Sequence, residues 1–384
     1  MDLQQALANL QKARENQKKR QKRINLIAIP IGVVIGLLIA FAEDFFYSGK
    51  EGVTLLLIFS LLITLPLQLI LHELGHLIFG LSSGFRFVSF RVFSLAIYKK
   101  DGKLRFGRYR VAGTLGQCLM YPASDDTPDR ALHLGGVIVN SVTAVLFTLV
   151  LILAYPILSL RLLSIGMIFW GVLLALTNGI PQKNGILAND GYNAKASGKD
   201  PNKRKLAYNQ LRIMAAMTDG KRLHEMPEEW FLCPTENANE PLSVAIRAMK
   251  ADRETDLARL DQAKEILLDL ANHGDNLMEF HLSAILSELL YLEMVGEHRP
   301  YVIETLRREL DRYLKMTQHS FSTLRIEITY HYLFTGDLET VAKLAKKFEK
   351  LKKHFPFTGE IEREELLISY PKAIYTNWRN TSHS

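Results

Sequence analysis

Residues 52–84 have the sequence GVTLLLIFSLLITLPLQLILHELGHLIFGLSSG, a run of 33 residues in which Glu73 is the one acidic residue. About 20 apolar residues are enough for a helix to cross the hydrocarbon core of a bilayer. Pro66 lies inside the run, where we expect it to kink the helix. The run therefore predicts a transmembrane helix that carries ionisable side chains at membrane depth.

Three further apolar runs predict the other membrane spans, at residues 24–42, 131–155 and 162–180. Residues 24–42 form 19 consecutive positions without a charge. This run is longer than the apolar region of a signal peptide, and no small-residue cleavage site follows it, so we expect a retained first span. The sequence thus predicts about four transmembrane helices.

The charge distribution predicts the orientation of these spans. Residues 1–190 carry 19 Lys and Arg against 11 Asp and Glu, whereas residues 191–384 carry 28 against 29. Seven of the basic residues lie in the first 23 positions and eight lie in 86–110, while the segment 43–51 has a net charge of −2. Because basic loops stay on the cytoplasmic side, we expect both termini in the cytoplasm of a multi-pass plasma-membrane protein, most simply a bacterial one.

Composition also excludes several classes of protein. The basic excess flanks apolar segments of membrane length, which argues against a nucleic-acid partner and for the lipid bilayer as the surroundings. Two cysteines far apart in the chain, Cys118 and Cys233, do not make a disulfide framework. We expect Cys118 to be a small core residue.

The segment after the second span has the pattern of strands. Residues 85–98 and 104–111 are rich in Phe, Val and Arg, and the turn sequence KDGK at 100–103 separates them, which predicts a β-hairpin. This hairpin would offer a sheet edge to an extended peptide or rest on lipid as an amphipathic ribbon. Residues 113–120 are apolar but short, and they predict a re-entrant or interfacial segment.

The second half of the chain has helical periodicity. Expected helices lie at residues 202–217, 242–249, 257–272, 277–295, 301–316, 321–335, 338–351 and 361–370. Their pairwise spacing is typical of a tetratricopeptide-like stack, and an ordinary helical bundle is the alternative. The predicted fold is an all-α polytopic membrane protein with a small β-hairpin and three parts: a basic cytoplasmic tail (1–23), a membrane-embedded domain (24–191) and a cytoplasmic α-helical domain (192–384) that could bind a protein partner.

The strongest chemical signal is HELGH at residues 72–76. On a helix, His72 and His76 share one face, so both imidazoles can bind one metal ion, with Glu73 beside them as a proton acceptor. Ionisable groups in a membrane interior are costly, which indicates a functional site. The alternative is a proton relay in a transporter.

A catalytic zinc site needs a third protein ligand and an open position for water. Asp190, which precedes Gly191 after the fourth predicted span, is the candidate, and a plain Asp-Gly turn is the alternative. The next acidic candidates are Asp125, Asp126 and Asp129.

The chain resembles the site-2 protease family of intramembrane zinc metalloproteases over residues 52–191. The resemblance rests on HELGH at 72–76, on NGIP at 178–181 followed by DG at 190–191, and on GGVIVN at 135–140, which lacks the family's usual proline. The spacing between NGIP and DG is longer than is usual in the family. The resemblance implies the following roles: zinc ligands His72, His76 and Asp190; general base Glu73; substrate or oxyanion contacts Asn140 and Asn178.

The function that this resemblance implies is hydrolysis of a peptide bond within or near the transmembrane segment of a membrane protein or peptide precursor, with one Zn²⁺ per chain. Two other functions fit the same topology. One is a non-catalytic, membrane-anchored helical adaptor with a structural metal site. The other is a transporter with an intramembrane His/Glu proton relay, for which repeated halves are typical.

Overall fold

The computed structural model describes residues 3–47, 52–109, 114–153, 157–184, 187–233, 241–274, 277–353, 355 and 357–381. The chain divides into two compact units. The first, called the helical unit below, contains residues 1–14, 95–110 and 202–384, and the second, the membrane unit, contains 15–94 and 111–201. The three predicted domains follow one another along the sequence, whereas the helical unit combines both ends of the chain with an internal segment.

The first helix, α1, runs from Leu3 to Tyr47. Leu3 and Leu10 are buried on one face of its first turns, together with Ala6 and Ala13. Asn9 lies on the same side and donates through Nδ2 to the carbonyl oxygens of Ala271 and Asn272, both at 2.9 Å. The start of the predicted tail is therefore a packed part of the helical unit.

Among the residues that the structure describes, three helices are long and apolar enough to cross a membrane: α2 (Val53–Ser82), α3 (Arg130–Leu153) and α4 (Leu158–Gly179). They confirm that the chain has membrane-span candidates at three of the four predicted places. The fourth place, residues 24–42, lies within α1, and the four-span count stays a prediction. Residues 111, 113 and 155, at the ends of predicted elements, lie outside the described part of the chain.

Helices α2 and α3 touch through their backbones. A Cβ atom built on Gly75 would collide with the carbonyl of Gly135, and one built on Gly135 would collide with the carbonyl of Gly75. Small residues at such crossings let membrane helices approach closely, which favours packing where lipid offers no hydrophobic driving force. The contact brings the HELGH turn of α2 against the start of α3. Large apolar side chains stay exposed on other faces of the two helices, among them Leu55, Phe59, Leu62, Val145, Leu149 and Ile152.

The segment between α2 and α3 contains four strands. Strand β1 (Phe85–Val92) pairs antiparallel with β4 (Gly116–Pro122), from Phe85 opposite Pro122 to Val92 opposite Gly116. Strand β2 (Leu95–Lys100) pairs antiparallel with β3 (Lys103–Arg108). The turn between β2 and β3 is the expected one: Asp101 and Gly102 both have positive φ, as a two-residue hairpin loop requires.

The structure gives more detail for two predictions in this segment. The long strand expected at 85–98 is divided, because Phe93 adopts a left-handed conformation with φ of 54° between β1 and β2. The re-entrant or interfacial segment expected at 113–120 is strand β4 over residues 116–122. On one side, the backbone groups of β4 bond to β1 in the antiparallel ladder.

The β2–β3 hairpin belongs to the helical unit through its tip. Lys100 donates from Nζ to Thr358 Oγ1 at 2.8 Å, and the backbone N–H of Asp101 donates to Asp219 Oδ1 at 2.9 Å. Tyr98, on the same face as Lys100, is buried, whereas Phe106 on the opposite face is 82% exposed. One face of the ribbon is therefore packed and the other is free.

After α4 the chain forms a small hairpin, β5 (Lys183–Asn184) and β6 (Leu187–Ala188), and then the short helix α5 (Asp190–Ala196). The helical character expected for the rest of the chain is confirmed. The helices are α6 (Pro201–Thr218), α7 (Pro241–Asp256), α8 (Leu260–Asn272), α9 (Glu279–Val295), α10 (Pro300–Met316), α11 (Phe321–Tyr330), α12 (Leu338–Lys352) and α13 (Thr358–Thr381).

A buried ion-pair network joins three of these helices. The guanidinium of Arg325, on α11, is fully buried and lies 2.7 Å from Glu288 of α9 and 2.7 Å from Glu364 of α13. It also lies 4.0 Å from the centroid of the Tyr291 ring. Because a buried charge without a partner is strongly destabilising, this network fixes the register of α9, α11 and α13.

Candidate metal centre

Three of the predicted site residues meet inside the membrane unit. Nε2 of His72 lies 3.1 Å from Oδ2 of Asp190 and 3.2 Å from Nε2 of His76, and Nε2 of His76 lies 3.3 Å from the same carboxylate oxygen. His72 and His76 are buried, and Asp190 is half-buried. In the part of the chain that the structure describes, these three residues form a group that could hold a metal ion, because their ligand atoms all lie within 4.8 Å of one another.

The spacing of these atoms suits a tetrahedral ion. Metal–ligand bonds of about 2.0–2.1 Å at tetrahedral angles place ligand atoms roughly 3.3 Å apart. Each imidazole also has an acceptor opposite its other nitrogen: Nδ1 of His72 faces Asn140 Oδ1 at 2.5 Å, and Nδ1 of His76 faces the Leu132 carbonyl at 2.7 Å. A neutral ring therefore carries its proton on Nδ1 and presents the lone pair of Nε2 to the centre. Two lone pairs and a carboxylate that converge on one point form a donor set for a cation.

Asn140 orients His72 and is itself held by Gln68. The Asn140 side chain is fully buried, and its Nδ2 donates to Gln68 Oε1 at 2.6 Å. Gln68 in turn donates to the Met167 carbonyl at 2.8 Å and to Thr143 Oγ1 at 3.2 Å. The side-chain amides of Asn140 and Gln68 thus both have partners. This series of hydrogen bonds connects α2, α3 and α4 next to Nδ1 of His72.

Sequence reasoning did not identify Gln68, although a signal for it was present. Gln68 lies four residues before His72, on the same helical face, and it is a polar residue in the apolar run of α2. A polar side chain at that position in a membrane helix needs a partner on a neighbouring helix. The resemblance implies a different role for the partner, Asn140: contact with substrate or oxyanion.

The other predicted positions lie as follows. Asn178 is half-buried at the end of α4, and its Nδ2 donates to the Leu174 carbonyl at 3.0 Å. Asp129 accepts a hydrogen bond from the hydroxyl of Ser197 and lies 3.6 Å from Nε2 of His133. Burial raises the pKa of Asp129, but the bonds from His133 and Ser197 outweigh it and hold the pKa below its usual value. Asp129 thus ties the start of α3 to the end of α5.

Glu73 lies between the ligand turn and strand β4. Its carboxylate accepts a hydrogen bond from the backbone N–H of Cys118. Gly116, on the same strand, is so close that a Cβ atom there would overlap the Glu73 carboxylate. Burial and the nearby Glu73 charge raise the pKa of Cys118 to about 12, so its thiol is neutral. The backbone of β4 therefore helps to position the carboxylate.

Asp190 reaches the two histidines as the first residue of α5. The β5–β6 hairpin accounts for the extra length between NGIP and DG. The hairpin begins after Gln182 and ends before Asn189, and these two residues are joined by a backbone hydrogen bond.

Comparison with known proteins adds no relative: no family model, curated protein or solved structure matches the chain. The geometry of the centre is therefore the basis for the functional argument. The residues present, two imidazoles and a carboxylate, fit a bound divalent ion.

Proposed function

We propose that the protein is an intramembrane zinc metalloprotease of the site-2 protease type. The observation that carries the proposal is that Asp190 lies against His72 and His76. The two histidines and Glu73 belong to α2, a helix apolar enough to cross a membrane. Two imidazoles and one carboxylate are a usual ligand set of catalytic zinc, and the fourth position is then left for water. The ligands His72 and His76 lie near the end of α2 that precedes β1, so water would enter from that side.

A bound zinc ion would acidify its water ligand and polarise the carbonyl of the bond to be cleaved. The protein's own contribution is proton transfer and orientation. Glu73 accepts the proton from the attacking water and delivers it to the leaving amine. Asn140 and the Leu132 carbonyl hold the two imidazoles so that Nε2 of each faces the centre.

The free edge of β4 supports a peptide substrate. On one side β4 is paired with β1, and in the described part of the membrane unit no strand covers its other side. An extended peptide can add to such an edge by backbone hydrogen bonds, and here the edge lies next to Glu73. The substrate we propose is a transmembrane segment of a membrane protein or peptide precursor that has locally unwound.

The chain segments that make up the helical unit support a count of four spans. Residues 3–14, 95–110 and 202–384 form one compact body, and such a body lies on a single side of a bilayer. Between residues 14 and 95 the chain must then cross the membrane an even number of times, and α2 supplies one crossing. We propose that residues 24–42 supply the other. With the basic residues at 1–23 and 86–110, this unit lies in the cytoplasm, in the plasma membrane of a bacterium, where it can offer a surface to a protein partner.

The test combines metal content with cleavage. Glu73→Gln keeps the three ligands but removes the proton acceptor, so the purified variant should bind zinc as the wild type does and should lose cleavage of co-expressed, doubly tagged single-span peptides. His72→Ala, His76→Ala and Asp190→Ala each remove one of three ligands and should lose both zinc and cleavage. Elemental analysis of the purified proteins and immunoblots of the tagged peptides give the two measurements.

Glu15→Gln is the matched control, since it removes an exposed acidic charge outside the ligand group and should leave both measurements unchanged. Unimpaired cleavage by Glu73→Gln would contradict the hydrolytic mechanism. Zinc binding without cleavage of any peptide by the wild type would favour the adaptor with a structural metal site. Full zinc content in Asp190→Ala would place the third ligand elsewhere.

A further inference from the structure

Asn189, the residue before the third ligand, makes an unusually complete set of hydrogen bonds. Its Nδ2 donates to the Ile180 carbonyl at 2.6 Å and to the Thr177 carbonyl at 2.8 Å. Its Oδ1 accepts from the backbone N–H of Gln182 at 2.9 Å and from that of Tyr192 at 3.0 Å. One amide side chain thereby uses two donors and two acceptor positions, the full capacity of the group.

These four partners belong to three different pieces of backbone. The carbonyls of Thr177 and Ile180 lie at the end of α4, where the last carbonyls of a helix lack intrahelical partners. Tyr192 N–H is one of the unpaired donors at the start of α5, so Asn189 is the N-cap of that helix. Gln182 N–H lies at the base of the β5–β6 hairpin, and the backbone N–H of Asn189 also donates to the Gln182 carbonyl at 3.1 Å.

Hydrogen bonds between Gln182 and Asn189 therefore join the two ends of the β5–β6 hairpin directly. The end of α4, residue 182 and the start of α5 are fastened together at Asn189, whatever the length of chain between 182 and 189. The approach of α5 to α4 is also close at the next glycine, since a Cβ atom on Gly191 would overlap the Gly179 carbonyl. Asp190 lies between these two fixed points.

We infer that Asn189 is a positioning residue for the metal centre: it sets the place of Asp190 relative to His72 and His76. The inference rests on the proposed function only in that the centre binds a metal ion. Asn189 touches no ligand atom, and it acts through the path of the backbone. The sequence motif NGIP…DG does not indicate this role, because the residue before the aspartate is outside the quoted motif.

The test measures metal binding in the full-length protein in detergent. Asn189→Ala removes all four side-chain bonds and should weaken zinc affinity, measured by competition with a chromogenic chelator, by about 10- to 100-fold, as loss of an outer partner of a metal site does. Asn189→Asp keeps the two acceptor bonds and loses the two donors, so its affinity should lie between those of Asn189→Ala and the wild type. The visible spectrum of the Co²⁺-loaded protein should change with both variants, because it reports the geometry of the ligands.

The matched control shortens the hairpin and leaves Asn189 intact. Residues 184–187 are replaced by Asn-Gly, which closes the Lys183–Ala188 pair with a two-residue turn. Zinc affinity and the Co²⁺ spectrum should then stay those of the wild type.

Wild-type affinity and spectrum in Asn189→Ala would overturn the inference, and so would an equal loss in the shortened hairpin. If Asn189→Ala fails to fold, Asn189→Asp decides, and wild-type affinity there overturns the inference. A wild-type protein that binds no zinc would instead refute the proposed function, so the two failures are distinguishable.

Discussion

Glu360, on the first turn of α13, shows how one partly buried carboxyl couples the stability of the helical unit to pH. Burial raises its pKa to about 7, and Glu364 and Asp252 add to this effect while Arg363 opposes it. In the unfolded chain a glutamate has a pKa of about 4.3. Between these two values the folded state holds a proton that the unfolded state has released, so stability falls as pH rises through this window and is level above it.

We therefore expect Glu360→Gln to stabilise the protein at pH 8, because the glutamine avoids ionisation in a buried place. At pH 8 its midpoint of thermal unfolding should exceed that of the wild type by about 2–4 °C, the shift for roughly 1 kcal/mol. At pH 4, below the pKa of the glutamate in both states, the two should be nearly equal. Circular dichroism of the full chain in detergent measures both, and the exposed Glu362→Gln is the control. An equal gain at both pH values would contradict the sign of the effect.

At the level of single residues, the sequence predicted what depends on local spacing. His72, Glu73 and His76 lie within about one turn of a helix, so helical geometry alone brings them together. Asp190 was a candidate by residue type and by resemblance, and the structure shows that it lies against both histidines. Asn140 lies 68 residues after His72 and 72 residues after Gln68 in the sequence, yet it bonds to both. No local pattern encodes such a pairing, so the orienting role of Asn140 was not predicted.

At the level of elements, strand β4 is the part of the site that sequence reasoning identified least well. Residues 113–120 are apolar, and their period indicates neither a helix nor an alternating strand. What makes residues 116–122 a strand is the partner β1, which lies on the other side of the β2–β3 hairpin in the sequence. The KDGK turn, in contrast, was predicted correctly because a two-residue loop with positive φ has its own sequence signature.

The proximity of β4 to Glu73, the proposed general base, leads to a prediction for Gly116. Gly116→Val places a branched side chain where the Glu73 carboxylate lies, so it should displace Glu73 while leaving the three ligands in place. Cleavage should fall roughly 100-fold, the loss expected for a misplacement of about 1 Å, and zinc content should be unchanged. The tagged-peptide assay and elemental analysis measure the two effects.

Gln117→Val is the control, since neighbouring strand residues point to opposite faces. Loss of zinc in Gly116→Val would mean that β4 supports the ligands as well as the base. Wild-type cleavage would mean that Glu73 is not held against this strand during the reaction.

At the level of the whole molecule, the grouping of residues 3–14, 95–110 and 202–384 predicts the result of topology mapping. Reporters that distinguish the two sides of a membrane, fused after residue 23, at residue 102 and at residue 384, should all give a cytoplasmic signal. A fusion near residue 47 should give an external signal, because four spans place the 43–51 segment there. An external signal at residue 102 would contradict both the proposed orientation and the cytoplasmic access to the metal centre.

The contacts of residues 3–14 also impose an order on biosynthesis. Asn9 bonds to Ala271, 262 positions later, and Arg14 bonds to Glu309, 295 positions later. At about 5–20 residues per second, the start of the protein leaves the ribosome roughly 15–50 s before its binding surface exists. During that time α2, α3 and α4 are made. The bonds of Asn9 and Arg14 can form only after the chain has been translated past residue 309, so they distinguish a shorter nascent chain from one in which the helical unit can assemble.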